Sequence, residues 1–221
     1  MREDPATRLY REGRDLQTRG EKAAAISRYQ EALAAAPSRV DVRFFLGQLL
    51  LDERRASEAI PHLNAAVEGG VRDDAAPYDL ARALASVGDR AAAQRALARL
   101  KVPPQADTAS FAGAGQLAEG LGDAPLAIQF YSQAAERADV PAQVVERLGV
   151  LLATGGRARD AITVLERGLA RTPLEASLHL NLAVALAQDG RIAEARVRVR
   201  EALRLRPDYP QAEALAERLG T

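Results

Sequence analysis

The chain of 221 residues has no cysteine and no tryptophan, a single methionine, and only four phenylalanines and five tyrosines. Without cysteine there is no disulfide framework, no thiolate metal site and no cysteine nucleophile. The only histidines, His62 and His179, are too far apart in the chain to suggest a shared metal or a catalytic dyad. No sign of charge dominates: 30 Lys+Arg face 30 Asp+Glu, a formal net charge of +0. Dedicated nucleic-acid and membrane-surface binders carry a basic excess, so this balance argues against both. No apolar run approaches the roughly 18 residues of a membrane helix. The opening Met1-Arg2-Glu3-Asp4-Pro5 lacks the apolar stretch of a signal peptide. The expected location is therefore the cytoplasm, although a processed periplasmic form would read the same. Lysine is also scarce: apart from Lys22 and Lys101, the basic residues are arginine, a bias that fits a GC-rich coding sequence and carries no functional reading.

What remains is folded-protein composition, 48% hydrophobic and 27% charged. Alanine fills about a fifth of the chain; with leucine, arginine and glutamate it favours helix, while β-branched and aromatic residues are sparse. The predicted class is all-α. An internal period is plain. Gly20, Gly88, Gly122, Gly156 and Gly190 fall 68, 34, 34 and 34 residues apart, with Arg54 at the midpoint of the first gap. Ala25, Ala59, Ala93, Ala127, Ala161 and Ala195 form a second column. Gly13, Gly47, Ala81, Gly115, Gly149 and Ala183 form a third that is always small. Leu16, Leu50, Leu84, Ala118, Leu152 and Leu186 make a fourth, and Tyr29, Leu63, Leu97, Tyr131, Leu165 and Val199 a fifth.

Helix geometry explains the columns. Glycine accepts the left-handed conformation that closes one helix, and an acid opens the next in Gly20-Glu21, Gly88-Asp89 and Gly122-Asp123. Each unit is thus two helices joined by a tight turn, with small residues where the axes cross and large ones around the crossing. Pro37, Pro173 and Pro207 end the second helix of their units. Two units depart from the pattern. In the third, Pro77 lies in the first turn of the opening helix, and the second helix is expected to end at Lys101-Val102-Pro103-Pro104. In the fourth, Gly113, Gly115 and Gly120 weaken the opening helix, which is expected to be the softest part of the array.

This 34-residue helix–turn–helix resembles the tetratricopeptide repeat. The resemblance covers essentially the whole chain as a single domain, with repeats at 6–39, 40–73, 74–107, 108–141, 142–175 and 176–209. A capping helix at about 210–220 is expected to cover the last apolar edge. The resemblance implies a right-handed α-solenoid whose inner groove is lined by the first helix of each repeat and holds an extended or helical segment of a partner protein. One column expected to face that groove is Tyr10, Phe44, Tyr78, Ala112, Glu146 and Leu180. The next is Arg11, Phe45, Asp79, Gly113, Arg147 and Asn181, and a third is Arg14, Gln48, Arg82, Gln116, Val150 and Val184. The candidate partner-binding residues are Tyr10, Arg11, Arg14, Phe44, Phe45, Gln48, Tyr78, Arg82, Gln116, Arg147 and Asn181. An aromatic strip flanked by arginines suits an apolar or acidic peptide; the competing reading packs the rings between neighbouring first helices.

The residues that the two-carboxylate clamp of chaperone-tail-binding repeats would need are missing, as is the run of inward asparagines of sugar-transferase superhelices. Gln116, Glu119, Gln143, Glu146 and Arg147 read as salt links between adjacent helices. The arginines between Arg191 and Arg206 read as a solvated face rather than a polyanion site. There is no phosphate loop, nucleophile elbow or zinc-protease signature, and the acid pairs Asp52-Glu53 and Asp73-Asp74 read as helix-end or turn residues. No enzyme activity, cofactor or metal is expected. The function expected is a scaffold for a protein or peptide ligand. Two alternatives stand beside it: a substrate-positioning repeat region of a larger enzyme, such as a glycosyltransferase or sulfatase, and self-assembly into a homo-oligomer through the solenoid ends.

Overall fold

The computed structural model describes residues 4–71, 75–103 and 106–220. Among them are thirteen helices and no strand. They are α1 (Pro5–Thr18), α2 (Lys22–Ala35), α3 (Val40–Asp52), α4 (Ala56–Glu68), α5 (Ala76–Ser86), α6 (Arg90–Leu97), α7 (Thr108–Gly120), α8 (Ala124–Ala135), α9 (Ala142–Thr154), α10 (Ala158–Arg171), α11 (Ala176–Gln188), α12 (Ile192–Leu205) and α13 (Pro210–Leu219). The first twelve pair off as neighbours across three-residue turns, five of which carry glycine and one Arg54. Asp73 and Asp74, with the repeat boundary between them, lie outside the described residues, as does Pro104.

Local chemistry sets the ends. Gly20, Gly88, Gly122, Gly156 and Gly190 all have positive φ, 75–85°, the region open to glycine at little cost. Asp89 and Asp123 then cap α6 and α8 by accepting from the backbone N–H three residues on. Glu21 holds the same place before α2, but its side chain makes no capping bond. Ala36, Thr172 and Arg206 leave the helical region immediately before Pro37, Pro173 and Pro207, as the proline ring requires of the preceding residue. One end differs from expectation: α6 stops at Leu97, short of Lys101. Its last turn tightens to bonds spanning three residues, Arg99 N–H to Ala96 and Leu100 N–H to Leu97, and no helical turn follows before Pro103. Despite its glycines, α7 is an unbroken helix of 13 residues.

The columns are the core. All six alanines from Ala25 to Ala195 are fully buried, and Tyr29, Leu63, Leu97, Tyr131, Leu165 and Val199 are at most 1% exposed. The small column admits the large one from the partner helix. A Cβ on Gly13 would lie 2.6 Å from the Tyr29 ring, and one on Gly115 equally close to Tyr131.

The chain forms two compact units, Met1–Pro104 and Gln105–Thr221, where the sequence reads as one continuous domain. The first holds α1–α6 and the second α7–α13. Within each unit the second helix of a pair packs on the first helix of the next, as α2 on α3, α4 on α5, α8 on α9 and α10 on α11. First helices also meet directly, α3 with α5 and α9 with α11. At the end of the second unit α13 closes the stack. Its Ala212, Leu215 and Ala216 are buried against Leu180, Ala183, Val199 and Ala202, and Arg196 Nε donates to the Leu219 carbonyl at 2.7 Å.

Candidate functional site

In the first unit Tyr10, Phe44, Phe45 and Tyr78 lie on the first helices α1, α3 and α5, but not at the same depth. Tyr10, Phe45 and Tyr78 are half-buried. Phe44 is 1% exposed, so the expectation that its ring meets a ligand is corrected: Phe44 belongs to the core. The reason is position. Helix α3 is the middle first helix of this unit, with α2 on one side and α5 on the other, so the competing interior reading holds for Phe44. Its ring lies 5.3 Å from that of Phe45, which lies 5.8 Å from Tyr10, which in turn lies 6.3 Å from buried Tyr29. These tilted pairs are stabilising beyond their buried area.

The polar candidates of this unit are tied across repeats. Arg14 is exposed, its guanidinium 4.0 Å from the Phe45 centroid, and its Nη1 donates to the Tyr10 hydroxyl at 3.2 Å. Gln48 Nε2 donates to Asp79 at 3.0 Å, and Arg82 Nη1 to the other oxygen of the same carboxylate at 3.1 Å. Asp79 is 4% exposed; burial raises its carboxyl above the usual range, against the pull of Gln48 and Arg82. Gln48 and Arg82 therefore hold an internal acid, and Arg82 also stands 5.8 Å over the Tyr78 ring. Arg11 is exposed.

A rule of register emerges. A side chain in the third column reaches the second column of the next repeat: Arg14 meets Phe45, and Gln48 meets Asp79. In the second unit the corresponding pair, Gln116 and Arg147, lines one cleft of about 540 Å³ between α7 and α9, together with Glu119, Gly120, Tyr131, Gln143 and Val144. The Arg147 guanidinium donates twice to Glu119, one bond being 3.0 Å. Tyr131, its hydroxyl pushed up to about 12 by burial and by the same acid, donates to Glu119 at 3.0 Å. The salt link expected between adjacent helices here is present. Asn181 is half-buried on α11. Tyr131 is not among the candidate residues legible in the groove columns. Its signal is a spacing of twelve shared with the first unit, where the Tyr29 hydroxyl donates to Gln17 at 2.6 Å.

Among the described residues no group of three or more His, Asp or Glu side chains is placed to hold a metal ion. None of their helices is long and apolar enough to cross a membrane. His179 Nε2 lies 2.9 Å from the Pro173 carbonyl. His62 is half-buried, its ring held below the usual range by burial and by nearby Arg43.

The profile of the tetratricopeptide repeat matches residues 10–77 and 146–210, more than half of the chain. The chain belongs to the tetratricopeptide-repeat family. Solved structures with the same fold include YrrB, a TPR protein with an unusual peptide-binding site, at 17% identity over 86% of this chain and 97% of that one, TM-score 0.66. The C-terminal part of a TPR repeat-containing protein from Cytophaga hutchinsonii gives 16% identity, 89% and 78% coverage and a TM-score of 0.60. A tetratricopeptide repeat protein from Parabacteroides merdae gives 14%, 98% and 86%, and 0.58. At these identities the likeness is one of fold. No curated protein matches the sequence.

Proposed function

We propose that this tetratricopeptide-repeat chain is a non-enzymatic scaffold that takes an extended or helical segment of a partner protein on the first helices of its repeats, with candidate contacts in each unit. One observation carries the reading: on these helices arginine side chains are open to solvent yet held in place by contacts within their own helix and with the adjacent repeat. Arg14 lies on Phe45 and Tyr10 in the first unit, and Arg147 is fixed by Glu119 beside the amides of Gln116 and Gln143 in the second. Side chains ordered before binding lose little entropy on it, so the contact energy goes into affinity. YrrB, which shares the fold, is described as having a peptide-binding site. A protein ligand suits the charges better than a polyanion. In the arginine-rich helix α12 and at its start, Arg191 pairs with Glu194 and Arg204 with Glu201, so part of that charge is already answered within the helix.

The test is selection of a random dodecapeptide library, displayed as N-terminal fusions, on the full chain. A Tyr10→Ala/Tyr78→Ala variant and a Gln116→Ala/Arg147→Ala variant serve for comparison. Selected peptides are expected to bind the wild type and to lose at least tenfold affinity on one of the variants, with the helical circular dichroism unchanged. Failure to select any peptide, or binding to both variants as tight as to the wild type, would remove the reading. Phe44 is left intact because its truncation would open the core.

A further inference from the structure

We infer that Arg14 is the seat for a side-chain carboxylate of the bound segment, with an apolar residue of the same segment lying against Tyr10 and Phe45. This rests on the peptide-binding reading above and names the chemistry the first unit selects.

The argument is one of counter-ions. The repeat supplies an internal acid to a groove arginine from two places. The first is the second column, where Asp79 accepts from Arg82 three residues on. The second lies three residues after the third column, where Glu119 accepts from Arg147 of the next repeat. Around Arg14 both places are filled otherwise. Three residues before it stands Arg11, a second cation, where Arg82 has Asp79. Three residues after it stands Gln17, a neutral amide whose oxygen is already taken by the Tyr29 hydroxyl at 2.6 Å. The remaining contact, from the second column of the following repeat, is Phe45, where Gln48 finds Asp79. Among the described residues no carboxylate lies within ion-pair distance of Arg14, whereas Arg28, Arg39, Arg82 and Arg147 each have one.

The guanidinium is nevertheless placed. It stacks 4.0 Å from the Phe45 centroid and donates one bond to the Tyr10 hydroxyl. Of the five N–H donors of an arginine this uses one, and stacking leaves the planar edge open for a bidentate acceptor. A carboxylate has the shape and charge for that edge. The two rings beneath and beside it offer apolar surface within one residue's reach. The occupant is thus a segment with Asp or Glu next to an aromatic or aliphatic residue.

The displayed library described above tests this directly. Its peptides are fused through their C-termini, so any acid preference comes from side chains. Selection on the wild type is expected to enrich Asp or Glu beside an apolar residue. On Arg14→Gln the apolar preference should remain and the acid preference vanish, while Arg82→Gln, from the same column but already neutralised by Asp79, should keep it. For one enriched peptide made synthetically, Glu→Gln should cost about tenfold in affinity on the wild type and nothing on Arg14→Gln. That comparison does not depend on how either protein variant folds. Acid enrichment that survives in Arg14→Gln, or peptides with no acid preference on the wild type, would overturn the inference and leave the peptide-binding reading standing. If no peptide is selected at all, both fall.

Discussion

Arg54 stands with φ 61° at the turn where the other five pairs carry glycine. An L-residue with a β-carbon is strained there by roughly 1–2 kcal/mol, and the Arg54 side chain offsets nothing with a hydrogen bond or ion pair among the described residues. Glycine would relieve the strain and give back part of it through its freer unfolded state. Arg54→Gly is therefore expected to stabilise the chain by about 0.5–1 kcal/mol, seen as a higher urea midpoint at unchanged slope. A lower midpoint would show that the arginine makes a contact of value at this turn. The position was legible in the sequence as the one break in a glycine column, since backbone geometry at a tight turn depends on few atoms and all of them are local. Depth of burial was not. Phe44 and Phe45 are neighbours in sequence, separated by about 100° around the helix, and which of them faces inward is set by how α2 and α5 flank α3. No spacing within α3 records that.

At the scale of the element, the joint between α3 and α5 runs through a buried acid. Asp79 is held by Gln48 from α3 and by Arg82 on its own helix. Burial still wins, so its folded carboxyl titrates above the 3.8 of a free aspartate, and the proximity of Asp52 pushes the same way. The sign follows from linkage. Between 3.8 and the raised folded value the native state holds a proton that the unfolded chain has lost, so stability falls as pH rises through that window and is level above it. Asp79→Asn keeps an oxygen for Gln48 and has no charge to bury. The gain of Asp79→Asn over wild type should therefore be smallest near pH 3.8, grow with rising pH and then level, as read by urea denaturation at a series of pH values. A gain that shrinks with pH would mean that the ionised acid, paired with Arg82, stabilises the joint. The sequence placed Asp79 in the right column but gave no hint of its depth. The same is true of α6, whose early end reflects a tightened last turn; Pro103 bounds that helix but does not record where it stops.

For the whole molecule, the register of 34 residues continues through all six pairs in the sequence, yet the chain forms two compact units that divide after Pro104. The period was legible because each pair repeats the same small-against-large packing, such as Gly13 on Tyr29 and Gly115 on Tyr131. The division was not, because it falls in the connection between the third and fourth pairs, whose length no column records. Helix α6 has only eight residues, and ten residues separate its end from the start of α7, against three at the glycine turns. A protease needs an extended stretch of roughly ten residues, and a turn of three between packed helices does not supply it; a longer connection between compact units is the better substrate. Arg99 and Lys101 lie in this connection and are exposed. Limited trypsin digestion of the native chain is thus expected to cut first at one of these two residues. The products should be an α1–α6 fragment and an α7–α13 fragment, each keeping its helical circular dichroism because each holds its own column of buried alanines. A first cut elsewhere, or collapse of helicity in either fragment, would show that the two units depend on one another for stability. If both fragments persist, the Arg14 seat and the Glu119–Arg147 cleft can be assayed on separate pieces, and the acid preference is expected to travel with the first.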